Sequence, residues 1–166
     1  MPTQTYIPLA NITLGSSASF VTFSSIPATY RDLVVVFAGA ATTSANTVLI
    51  RLNSDTGSNY SSVFARGNGS NAASSSTTTT GAWFLQANEA LGTTQSNAIG
   101  QIMDYSATDK HTTILTRANN NNTTGPAVEM IASRWANTAA VTSVQVYVSS
   151  NAFASGSTFA LYGIAS

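Results

Sequence analysis

Cysteine is absent from the 166 residues, which excludes disulfides and thiolate metal sites and leaves packing or assembly as the sources of robustness. Charge is scarce too: Asp, Glu, Lys and Arg make up 7% of the chain, against about a quarter in an average soluble protein. Six basic residues balance six acidic ones, so no net field draws in nucleic acid or an anionic membrane. There is a single histidine, His111. No apolar run approaches the ~18 residues of a membrane span. The start, Met1-Pro-Thr-Gln-Thr-Tyr6, lacks the basic-then-apolar pattern of a secretory leader, and the chain is expected to be made in the cytoplasm and kept soluble.

What is present is β-branched and small polar. Ser, Thr and Asn supply the polar surface that charges usually supply, and with Val and Ile they disfavour helix and favour strands and turns. Leu33 to Ala38 is apolar at every position, which predicts an interior strand covered on both sides. It is reached from Phe20-Val-Thr-Phe23 through a corner at Pro27, a residue that cannot donate to a ladder. Alternation predicts further strands at Tyr6–Leu14, Thr47–Asn53, Tyr60–Arg66, Ala82–Gln86, Asn97–Tyr105, His111–Arg117, Val128–Trp135, Val141–Val148 and Ser157–Ile164. Gly100 reads as a bulge marker. The segment 88–92 reads as one helical turn or a loop, and 118–126 as a loop. The expectation is one domain over 1–166, an all-β antiparallel sandwich, jelly-roll-like, of roughly ten or eleven short strands. Residues 1–5 read as an N-terminal arm, and 67–81, low in complexity, as a long flexible loop that a neighbouring subunit orders.

Three stretches together carry a resemblance: Phe23–Leu33, Asp104–Thr113, and Arg134–Ser143 leading to Gly156–Ile164. They resemble small β-sandwich virion structural proteins of tailed bacteriophages. Some of these are capsid decoration (cement) proteins and others belong to tail fibres. The resemblance implies a virion protein, most simply a capsid decoration protein that stabilises the head. It implies self-association as a homotrimer and the major capsid protein as partner. Two alternatives stay open: a tail-fibre or receptor-binding head domain recognising a host glycan, and a free carbohydrate-binding module.

Candidate site residues fall into two groups. Arg31 and Asp32 are a structural corner, expected to bond backbone groups that Pro27 frees. Trp83, Trp135 and Tyr147 are candidate contacts, able to form a sugar-stacking platform. The two tryptophans are more simply core or interface anchors, which leaves Tyr147, predicted to face outward, as the better contact. Asp104, Asp109 and Lys110 read as bracketing a turn, and Asn53–Asn59 as a turn rather than a calcium loop, because one Asp is few for that ion. Ser106, His111 and Asp109 can be written as a triad, but neighbours on one turn rarely reach triad geometry. No enzyme activity, cofactor, metal, nucleic acid or membrane is expected.

Overall fold

The computed structural model describes residues 4–44, 46–120 and 127–165. These form twelve strands and no helix: β1 (Tyr6–Thr13), β2 (Phe20–Phe23), β3 (Asp32–Gly39), β4 (Asn46–Leu52), β5 (Tyr60–Gly67), β6 (Ala72–Thr80), β7 (Trp83–Leu91), β8 (Ser96–Met103), β9 (Thr112–Asn120), β10 (Ala127–Trp135), β11 (Val144–Val148) and β12 (Thr158–Ile164). Every pairing is antiparallel. The larger sheet runs β1-β12-β3-β8-β9-β10-β5-β6 and the smaller β2-β11-β4-β7.

Period-two alternation decides which side chains meet between the sheets. Leu33, Val35 and Phe37 of β3 face Val48, Ile50 and Leu52 of β4 and Val144, Val146 and Val148 of β11 in one apolar core. Two aromatic groups fill its width. Phe37, Phe153 and Phe159 pack in tilted and edge-on contacts, Phe37 with Phe153 at 5.3 Å between ring centroids, Phe37 with Phe159 at 5.2 Å and Phe153 with Phe159 at 4.8 Å. Tyr60 packs edge-on to Trp83 at 5.8 Å and parallel to Trp135 at 6.2 Å. Aromatic pairs of this kind add roughly 0.5–1.5 kcal/mol each beyond their burial.

β3 is interior, between β12 and β8, as its unbroken apolar run requires. Its cover is uneven: Val34 on the far face is buried, whereas Val36 is only half-buried. The corner after β2 carries the chain from the smaller sheet to the larger. Ile26 N donates to Thr142 O at 3.0 Å and Arg31 N to Ile164 O at 2.9 Å.

Several expectations are corrected. The stretch 67–81 is not a flexible loop, because Ala72–Thr80 is strand β6, laid along β5 from Gly67↔Ala72 to Tyr60↔Thr80. A Ser/Thr run has no apolar face, so periodicity is silent on it, yet its backbone pairs as any other does. Likewise β7 continues to Leu91 through the segment read as a helical turn or loop. β9 extends to Asn120, and the rest of the expected loop, 121–126, lies outside the described residues. Gly100 is no bulge, since it pairs in register with Val35 and Thr116. A Cβ there would stand 2.7 Å from Ile114 Cδ1 and 3.2 Å from Leu85 Cδ1, so a side chain here would have to push aside the tips of side chains from both sheets. Of the N-terminal arm, residues 1–3 lie outside the described residues, while Thr5 O accepts from Ala165 N at 3.0 Å.

Candidate functional site

The corner residues hold a different set of partners from the expected one. Asp32 begins β3, and its Oδ1 accepts from Asp104 N at 3.0 Å. Its Oδ2 accepts from Gln101 Nε2 at 2.8 Å and from Arg31 Nε and Nη2 at 3.1 and 2.9 Å. Burial pushes this carboxyl up, but the Asp104 amide, Gln101 and Arg31 together outweigh burial and hold it below its ordinary value. Asp32 therefore ties the start of β3 to the end of β8. The Pro27 carbonyl is instead met by the Tyr105 hydroxyl.

Both tryptophans are inside, with 0% of Trp83 and 1% of Trp135 exposed, which removes them as surface contacts. Trp135 donates its indole N–H to Asp55 Oδ2 at 2.7 Å. Asp55 also accepts from Gly57 N at 2.8 Å and Asn59 Nδ2 at 2.9 Å. The Asn59 amide, against the opposing effect of burial and with help from Trp135, Gly57 and Asn137, holds the Asp55 carboxyl below its ordinary value. Its oxygens are given over to N–H donors, so the 53–59 turn acts as the anchor of a core tryptophan.

Tyr147 lies half-buried on the outer side of the smaller sheet. Arg51 Nη2 donates to its hydroxyl at 3.0 Å, and the guanidinium carbon sits 4.6 Å from the ring centroid. That cation covers the ring, and a stacking platform of Trp83, Trp135 and Tyr147 does not form. Lys110 pairs with Asp104 at 2.9 Å, as the turn reading expects. Among the described residues no hydrogen bond joins His111 to Ser106 or Asp109, and no three His, Asp or Glu side chains come together to hold a metal ion.

The feature that sequence reasoning passed over is the outer face of the larger sheet. Strand β10 buries Glu129, Ile131 and Ser133 and turns Val128 and Met130 outward. Strand β5 does the same, burying Tyr60 and Ser62 and exposing Val63. The result is a face on which large apolar side chains stand exposed, among them Val63 60% exposed, Leu115 51%, Val128 67% and Met130 62%. Register places them in rows across the strands. Val63, Ala132, Leu115 and Gln101 form one row, and Ala65, Met130, Arg117 and Ile99 the next. Shallow hollows follow one another over this face, the largest about 680 Å³ and edged by Val63, Met103, Leu115 and Arg134. Two exposed cations, Arg117 and Arg134, stand on it, whereas the nearby acids look elsewhere: Glu129 inward, and Asp32 into its own network.

Contiguous exposed apolar surface of this kind marks a candidate contact site, and the guanidinium groups of Arg117 and Arg134 on it have the geometry to take carboxylates. The signal for it is present in the sequence: β5, β9 and β10 carry apolar residues on both alternating sets, more than one core can take. The fold and this face together define a two-sheet β protein with a wide, exposed apolar surface. Comparison with protein-family models, with the curated proteins and with the solved structures gave no match.

Proposed function

We propose that this chain is a structural protein of a tailed-bacteriophage virion, a capsid decoration or cement protein that docks on the shell through the outer face of its larger sheet. The observation that carries the reading is that face, with Val63, Leu115, Val128 and Met130 each more than half exposed. Contiguous apolar surface on a chain this poor in charge favours a protein partner, the major capsid protein in this reading. The strand orders add support for a jelly-roll sandwich. Orders β1-β12-β3-β8 and β2-β11-β4-β7 interleave early and late strands as two nested Greek keys would, while β9-β10-β5-β6 extends the first sheet. Jelly rolls are frequent among viral capsid proteins.

The mechanism is linkage: a protein that binds the assembled shell and not its separated subunits stabilises the shell, by about 2.7 kcal/mol per site when free protein stands at 100 times its Kd. The glycan-binding alternatives lose their aromatic platform, because both tryptophans are in the core. The trimer rests on the resemblance alone. Quantitative mass spectrometry of purified particles tests the reading. Hundreds of copies per particle support a head protein, a few to dozens favour the tail, and absence from particles overturns it.

A further inference from the structure

A sheet edge is a row of unpaired N–H and C=O groups, and proteins blunt such edges with proline, bulges, short strands or side-chain cover. Three of the four edges here are treated in that way. β1 contains Pro8, and its register slips between Pro8 and Ala10. β2 is four residues long. β7 slips register against β4 and gives its Ala87 N–H to the Glu129 carboxylate of β10 at 2.9 Å. The fourth edge, β6, runs for nine residues, Ala72–Thr80, with no charge and no proline. It too slips register with β5, but only past Thr77, so from Gly67↔Ala72 to Ser62↔Thr77 a regular stretch of edge remains, and its side chains are almost all exposed.

We propose that the open edge of β6 is a self-association site, where it pairs antiparallel with β6 of a second copy about a two-fold axis. Alternate residues of an antiparallel edge strand point both backbone groups away from the sheet, so β6 offers a ladder with no partner among the described residues. A second β6 is the occupant this edge fits. Beyond Ala72 and Ala73 the strand is all Ser and Thr, so it meets itself largely as hydroxyl pairs across the seam, with no like charges opposite one another in any register. A foreign strand would find only small side chains and no pockets to read its sequence. Because a two-fold interface is self-complementary, pairing joins two larger sheets edge to edge. The hollows that end at Ala72, Ser74, Ser76 and Thr78 then continue across the seam. This association does not depend on the virion reading.

Sedimentation of the full chain over a range of concentration tests it. The expected result is a monomer–dimer equilibrium, with alternate β6 amides gaining hydrogen-exchange protection as dimer forms. The double substitution Ser74→Lys and Ser76→Lys, both at exposed positions, should raise the dimer dissociation constant at least tenfold while leaving the tryptophan emission of the folded protein unchanged. The absence of cysteine gives a second measurement. Single cysteines placed in turn from residue 73 to 78 should oxidise to covalent dimers most readily at one central position, falling away on both sides. A protein that stays monomeric throughout, a trimer, or an oligomer insensitive to the lysines and without a crosslinking maximum overturns the proposal.

Discussion

Replacing Asp55 by alanine isolates the bond between a surface turn and a core indole. The substitution leaves Trp135 Nε1 without its acceptor at 2.7 Å, on a side chain with 1% of its surface exposed. A buried donor left unsatisfied costs about 1–3 kcal/mol. Gly57 N and Asn59 Nδ2 lose acceptors at 2.8 and 2.9 Å, but water reaches this exposed turn, and together they add about 1 kcal/mol. The expected loss is about 2–4 kcal/mol, a fall in Tm of roughly 4–16 °C for a chain of this size. Asp55→Asn keeps an oxygen for the indole and gives up the charge, so it should cost about half as much. Asp109→Ala, on an exposed turn, serves as control and should stay within about 0.5 kcal/mol of the parent. Urea unfolding followed by tryptophan fluorescence and circular dichroism reads all three. The Asp55 carboxyl is held below its ordinary 3.8, so the unfolded chain takes up the proton first as pH falls. Its contribution is whole above that value and is lost as pH drops through the lower folded value. The gap between parent and Asp55→Ala should therefore narrow only in acid below about pH 4. A loss under about 0.5 kcal/mol at neutral pH, or a gap that does not narrow in acid, would refute the anchoring argument.

Gly163→Ala should destabilise by about 1–3 kcal/mol through overpacking, because its Cβ would stand 2.4 Å from Tyr30 Cγ. Thermal melts check it, and a Tyr30→Ala background should remove most of the cost. Leu115→Lys and Met130→Lys, at exposed positions on the larger sheet, should leave stability within about 0.5 kcal/mol and weaken attachment to stripped particles tenfold or more in co-sedimentation. Unchanged attachment would overturn the docking role proposed for this face.

The strands legible in the sequence are those whose alternation is set by the core. Val144, Val146 and Val148 point inward as their spacing predicts, and so do Val48, Ile50 and Leu52. Periodicity failed where burial does not follow polarity. β6 has nothing to bury, so no pattern could mark it. In β10 the inward set includes Glu129 and Ser133, two polar residues accepted because local donors and hydroxyls meet them: Ala87 N for Glu129, and Ser62 Oγ at 2.7 Å for Ser133. The Asp32 network joins residues 69 and 72 positions apart, a distance over which local spacing carries no information. The outer face was readable only as a surplus of apolar residues, and a surplus names a surface without placing it.

The interleaved strand order also governs how the molecule comes into being. β1 pairs only with β12, and β2 only with β11, so the first two strands find no partner until residues 144–164 exist and are free to move. β12 must slot between β1 and β3, and β11 between β2 and β4. Closing chain loops of that length before any contact rewards them is slow. Until then Phe23 and Val21, both core residues, stay in water as open strand edges. Two of the four strands of the smaller sheet and two of the eight of the larger thus wait on residues 144–164, and the interval before β11 and β12 close is when the chain is most exposed to aggregation.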